Sequence, residues 1–154
     1  MPGIFDLRER PHQVDAVAGR VWAAFWRHKG TPLEQLRRGV EANLHRSDGV
    51  PFCPIAEIDG KLCGTASVIA NDEEARPELT PWLAALWVDE SERRQGIAAA
   101  LLKEAARRCA ALQIERLYLG SRPALRDFYA SRSWRVLEQG VGAHALTLYV
   151  QELD

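Results

Sequence analysis

Between a run of apolar residues and a run of alanines, the sequence reads Arg93-Arg94-Gln95-Gly96-Ile97-Ala98-Ala99. This pattern suits the holding of an anion. The first turn of a helix leaves backbone N–H groups without partners, and its dipole favours negative charge. Gly96 and Ala98 carry little or no side chain, so a pyrophosphate can approach the backbone there. Arg93 and Arg94 add cationic donors. The segment lacks the lysine–hydroxyl pair of a Walker A loop and is not the GxGxxG dinucleotide fingerprint. Spacing alone leaves two readings level: a phosphate cradle, or a plain strand-to-helix turn preceded by solvated charge.

Other residues with chemical capacity are dispersed. Glu57, Asp72, Glu73, Glu74 and His144 can accept protons, but solvated surface is the ordinary role of the last four. Trp82 follows Pro81 and can either line a pocket, stacking on a cationic amine, or fill the core. Nine arginines between Arg93 and Arg135 raise the separate reading of a nucleic-acid-binding module.

The elements that must position these residues follow from periodicity. Ile4–Leu7 reads as a first strand. Val14, Val17, Ala18, Val21, Trp22 and Phe25 make one stripe of a helix over Pro11–His28, ended by Gly30. Thr31-Pro32-Leu33-Glu34 opens a second helix, with Thr31 as N-cap, Pro32 first in the helix and Glu34 completing a capping box. Its buried face is Leu33, Leu36, Val40 and Leu44. Asp59-Gly60 between two apolar runs predicts a hairpin with a type I′ turn, and a polar loop follows over Asn71–Glu78. Pro81–Val88 reads as a central strand covered on both faces. A helix over Arg94–Ala110 buries Ile97, Leu101, Leu102, Ala105 and Cys109. A strand over Arg116–Leu119, a short helix over Leu125–Arg132, and strands over Trp134–Leu137 and Leu146–Val150 complete the chain. The order β-α-α-β-β-β-α-β-α-β-β predicts an α/β fold, a mixed central sheet flanked by helices, as one domain over residues 1–154.

Composition narrows the function classes. Twenty Lys and Arg against 21 Asp and Glu give a net charge of -1, which opposes nucleic acid as a partner. The sequence shows no membrane-spanning run and no signal-peptide pattern at its start, so a cytoplasmic protein with no membrane partner is expected. Three irregularly spaced cysteines, Cys53, Cys63 and Cys109, argue for reduced thiols and no metal site.

The segment Arg93-Arg94-Gln95-Gly96-Ile97-Ala98 resembles the acetyl-CoA-binding motif of the GNAT superfamily of N-acetyltransferases, in which Arg or Gln precedes a spaced Gly and Gly or Ala. The likeness extends along most of the chain. LAALWVDE resembles the family's fourth strand, and the Asp59-Gly60 hairpin its second and third. Asp127-Phe128-Tyr129-Ala130-Ser131-Arg132-Ser133-Trp134 is similar to a second family signature, with Ser133 in place of Gly and Trp134 in place of Phe. Arg122 stands where Asn is common.

The resemblance implies a GNAT-like acyl-CoA N-acyltransferase fold with acetyl-CoA as acyl donor and no metal. It assigns coenzyme contacts to Trp87, Val88, Arg93, Arg94, Gln95, Gly96, Ile97, Ala98 and Ala99. Trp87 and Val88 fall where the family's strand backbone meets the pantetheine arm. Tyr129 becomes the candidate acid that protonates the leaving thiolate, its phenol holding its proton at a reference pKa of about 10. Trp22 and Trp26 fall where the family builds its acceptor cleft. Trp82, Trp26 and Asp72 are the candidate acceptor contacts. An amine must lose a proton before it attacks the thioester carbonyl, and one of the acids, His144 or a water chain can take it.

The expected reaction is direct acetyl transfer, in a ternary complex, to a primary amine of a small molecule. The acids near Asp72 favour a cationic acceptor. Acetylation of a protein or peptide amine is the alternative, and a non-catalytic acyl-CoA sensor a second. A homodimer is compatible with the family.

Overall fold

The computed structural model describes residues 2–45 and 49–153. The element order is the one the sequence predicts: β1 (Gly3–Asp6), α1 (Val14–Val21), α2 (Leu33–Glu41), β2 (Pro54–Ile58), β3 (Lys61–Ile69), β4 (Trp82–Val88), α3 (Ile97–Ala111), β5 (Arg116–Ser121), α4 (Arg126–Ala130), β6 (Arg135–Val141) and β7 (Leu146–Glu152). The strands form one mixed sheet in the order β1-β2-β3-β4-β5-β7-β6. Only the β4–β5 neighbours run parallel.

Two apolar layers cover the sheet. Val14, Val17, Ala18 and Val21 of α1 and Val40 of α2 pack with Leu7, Ile55 and Leu62. On the other layer, Ile97, Leu101, Leu102, Ala105 and Cys109 of α3 pack with Ala56, Cys63, Ala66 and Leu117. Those five α3 residues are the face its periodicity marks. Gly64 makes this approach close: a Cβ there would lie 3.1 Å from Ile97 Cγ2 and 3.2 Å from the Trp87 carbonyl. The hairpin turn has φ 52° at Asp59 and 78° at Gly60, the positive pair a type I′ turn requires.

The first helix is not one regular cylinder. A 3₁₀ turn at Pro11–Gln13 leads into α1, a π-helical segment spans Trp22–Trp26, and a second 3₁₀ turn at Arg27–Lys29 ends at Gly30 with φ 77°. Thr31 does not cap α2. Pro32 is the N-cap residue, whose side chain has no oxygen to accept a cap bond, and the Thr31 carbonyl accepts the Trp22 Nε1–H at 2.7 Å. Leu33 is exposed, so the buried face of α2 begins at Leu36.

Strand β4 also departs from an evenly covered strand. Its ends are buried, but Ala84–Trp87 are partly open. Thr65 faces Trp87 and Ser67 faces Ala84, so β4 carries one extra residue. Ala85 absorbs it with φ 52°. A bulge of this kind bends a strand and redirects its side chains. On the opposite edge, β4 registers with β5 only where Trp82 faces Tyr118, with the Tyr118 N–H donating to the Pro81 carbonyl at 3.1 Å. Beyond that point the two strands part.

Candidate active site

The parting of β4 from β5 opens a cleft of about 430 Å³. Leu86, Trp87 and Val88 form one wall. Arg93, Arg94, Gly96, Ile97, Ala98 and Ala99 form the floor at the start of α3. Leu125, Phe128, Tyr129 and Arg132 close the far side. The turn is built for close approach. Arg94 has φ 66° and Gly96 φ 81°, so neither is helical, and α3 starts at Ile97 rather than Arg94. No side chain caps α3, and the space where a Gly96 Cβ would project holds no atom within 4 Å. Two left-handed residues before an uncapped fifteen-residue helix leave backbone N–H groups facing open space, a cradle that fits a pyrophosphate. Arg93 is anchored by Nε donation to the Val88 carbonyl at 2.9 Å and lies 4.6 Å from the Trp87 ring centroid.

Tyr129 is held across the cleft by a short helix with a tight end. The Arg132 and Trp134 N–H groups both donate to the Tyr129 carbonyl, at 2.9 and 3.2 Å, and Ser133 turns the chain with φ 71°. Glycine meets that φ without strain, so its replacement by serine in the signature costs backbone energy and leaves the turn in place. Phe128 and Trp134 meet the Tyr129 ring edge-on, and Tyr149 lies 5.2 Å away. Burial, with a smaller contribution from Tyr149, pushes the Tyr129 phenol up to about 12.

Of the expected coenzyme residues, Trp87, Val88, Arg93, Arg94, Gly96, Ile97, Ala98 and Ala99 border one cleft, as does Tyr129. The Gln95 side chain does not border it, donating instead to Glu92 at 3.3 Å. Leu86, Glu92, Leu125, Phe128 and Arg132 also line the cleft and were not assigned to it from sequence. Leu125 and Phe128 precede Tyr129 by four and one positions, which is the only local signal they carry.

Trp82 corrects the sequence reading. It is 0% exposed, tilted against Tyr118, and its Nε1–H donates to the Leu79 carbonyl at 2.7 Å. With its indole nitrogen satisfied and no surface free, it is core and does not line an acceptor pocket. Glu57 is likewise structural, accepting from Gln13 Nε2 at 2.8 Å and Arg10 Nε at 3.3 Å.

Trp26 is exposed on the π-helical segment, with Lys29 Nζ 4.8 Å from its ring. Asp72 is open to solvent, yet the protein around it and then Glu73 raise its carboxyl above the ordinary 3.8, while Lys29 opposes the shift. Lys29 thus lies against Trp26, and its charge acts on Asp72. The 70–81 loop is fixed to the β6–β7 hairpin by the Arg76–Glu138 ion pair and by the Glu73 carboxylate against Gly142. The arginines divide by role: Arg107, Arg108, Arg116 and Arg135 pair with carboxylates, whereas Arg93, Arg94 and Arg132 border the cleft. No group of three potential metal ligands occurs among the described residues, and no described helix is long and apolar enough to cross a membrane.

Solved structures share this architecture. An aminoglycoside 6′-N-acetyltransferase complexed with coenzyme A superimposes with a TM-score of 0.75 at 13% identity, covering 97% of this chain and 96% of that one. A putative acetyltransferase from Salmonella typhimurium with acetyl-CoA gives 0.73 at 17% identity, covering 100% and 95%. A GNAT acetyltransferase from Streptococcus pneumoniae gives 0.72 at 16%, covering all of both chains. At these identities the likeness speaks for the fold. No curated protein matches the sequence. The model of the acetyltransferase (GNAT) family matches residues 4–134, most of the chain. Family model, sheet order and cleft agree: the chain belongs to the acetyltransferase (GNAT) family.

Proposed function

We propose that the cleft between β4 and α4 is the coenzyme site and that the acceptor is a small, cationic primary amine. The observation that supports this most is the convergence of the phosphate-type turn, the exposed stretch of β4 and Tyr129 on one cavity. The Arg93–Ala99 turn holds the pyrophosphate, and Trp87 and Val88 lie along the pantetheine arm. Tyr129, protonated throughout the neutral range, supplies the proton to the departing sulfur. The acceptor enters from the opposite mouth, where Trp26 offers an aromatic face and Asp72 a carboxylate. Two mouths on one split sheet suit direct attack in a ternary complex, because both substrates are held at once.

Calorimetry of coenzyme A on wild type and on folded Gly96→Val tests the donor half. At φ 81° the valine Cβ strains the backbone and fills the cradle. Affinity is expected to fall at least about tenfold; unchanged affinity overturns the placement. A panel of amines with acetyl-CoA and a free-thiol readout tests the acceptor half. Turnover confined to peptide amines would favour a protein substrate, and absence of turnover with intact coenzyme binding would favour a sensor.

A further inference from the structure

Arg20 lies on α1, outside every segment that the motifs mark. Its guanidinium nevertheless reaches the phosphate turn. Nε donates to Asp89 Oδ1 at 2.9 Å and Nη2 to Oδ2 at 3.0 Å, a two-pronged grip. Nη2 also donates to the Leu62 carbonyl at 3.1 Å. Asp89 follows the last residue of β4, and its N–H donates to the Cys63 carbonyl at 2.8 Å. The Asp89 Oδ1 accepts a second bond, from Trp87 Nε1 at 3.2 Å. The Trp87 ring in turn carries the Arg93 guanidinium. The contacts run unbroken from Arg20 through Asp89 and Trp87 to Arg93, and the last two members line the cleft.

We propose that Arg20 is a positioning residue for the coenzyme, acting through Asp89. The inference rests on the reading of the cleft as the coenzyme site. A carboxylate beside a pyrophosphate turn is electrostatically adverse, since it repels the ligand and competes for the arginine meant to bind it. Arg20 neutralises Asp89 and aims its oxygens at the Trp87 indole. That fixes the ring on which Arg93 rests. Arg93 is exposed and long, so ordering it before the ligand arrives removes part of the entropy cost of binding. The Arg20–Asp89 pair is partly solvated on both sides, a setting in which ion pairs contribute little to folding. Its effect on binding therefore separates from its effect on stability. Lysine cannot reproduce the two-pronged geometry.

The test is calorimetric binding of coenzyme A, with KM for each substrate, on Arg20→Ala, Arg20→Lys, Asp89→Asn and the Arg20→Ala/Asp89→Asn double variant. Arg37→Ala is the control, because it severs a tie of the same kind between α2 and Asp15 of α1 without touching Asp89. Arg20→Ala is expected to weaken coenzyme A about tenfold and to raise KM for acetyl-CoA more than for the amine. Arg20→Lys should recover little of this loss. The double variant should bind better than Arg20→Ala alone, because the uncompensated charge is gone. Arg37→Ala should bind within about twofold of wild type. Wild-type affinity in Arg20→Ala, or equal weakening by Arg37→Ala, overturns the proposal. Gly96→Val separates the two levels: if it too binds normally, the coenzyme site itself is misplaced, whereas if it alone weakens binding, only the role of Arg20 fails. Should Arg20→Ala not fold, Arg20→Lys and the double variant decide the matter.

Discussion

The two mouths proposed for the split sheet are built in different ways. The donor mouth is made largely of backbone: a bulged strand, two left-handed residues and the uncapped start of α3, all within Trp82–Ala111. The acceptor mouth is made of side chains from distant segments, with Trp26, Lys29, Asp72 and the Arg76–Glu138 tie drawn from the end of the first helical region, a loop and β6. A site made of main chain constrains its ligand to one shape and is insensitive to most substitutions. A site made of exposed side chains is remodelled by single changes.

Four substitutions probe that contrast at decreasing strength. Tyr129→Phe keeps the ring contacts and removes the hydroxyl. Single-turnover transfer at saturating acetyl-CoA is expected to fall about 10²–10⁴-fold, with coenzyme affinity barely moved. A rate within about twofold of wild type would reduce Tyr129 to a packing residue. The pH profile sharpens the point. A general acid works in its protonated form, and burial has raised this phenol from 10.0 to about 12. Activity should therefore rise with pH as the amine deprotonates and decline only near 12. The same shift means that folding stability is full below about pH 10 and falls as pH climbs from there towards 12.

On the acceptor side, Trp26→Ala and Asp72→Asn should each raise KM for a cationic amine about tenfold or less, leaving KM for acetyl-CoA in place. Because the Asp72 carboxyl titrates above its ordinary value, the wild-type advantage should fade as pH falls through that raised value, and Asp72→Asn should lack this dependence. Equal shifts in both KM values would dissolve the distinction between the mouths. The smallest expected effect is on stability. Ser133 holds φ 71° at the end of α4, so Ser133→Gly should relieve strain of up to about 1 kcal/mol and raise Tm by about 2–4 °C, read by thermal melting.

The same contrast explains what could be read from sequence. The order of elements, the I′ hairpin and the inner face of α3 depend on local spacing, and they follow the sequence closely. The turn into α3 was legible because Gly96, Ala98 and Ala99 lie close together in sequence. Trp82 was misread because strand alternation says which residues share a face and nothing of whether a carbonyl such as Leu79's waits for the indole. The end of the first helix fell at Gly30 as its spacing predicted, whereas the start of α2 was misread by one residue, because Pro32 and not Thr31 is the N-cap. Arg20 carried no signal at all: its partner Asp89 is 69 positions distant.

The bulged strand β4 is paired with β3 along its length and with β5 at one end only. It therefore carries an exposed strand edge in the middle of the molecule. Such an edge on a protein's rim invites pairing with other chains, and proteins guard against it with charge, shortness or cover. Here the guard is position. The edge lies in a cleft bordered by Phe128 and Tyr129 on one side and by the start of α3 on the other. Cover by α4 and the start of α3 thus keeps the unpaired edge off the molecule's rim, where another chain could pair with it.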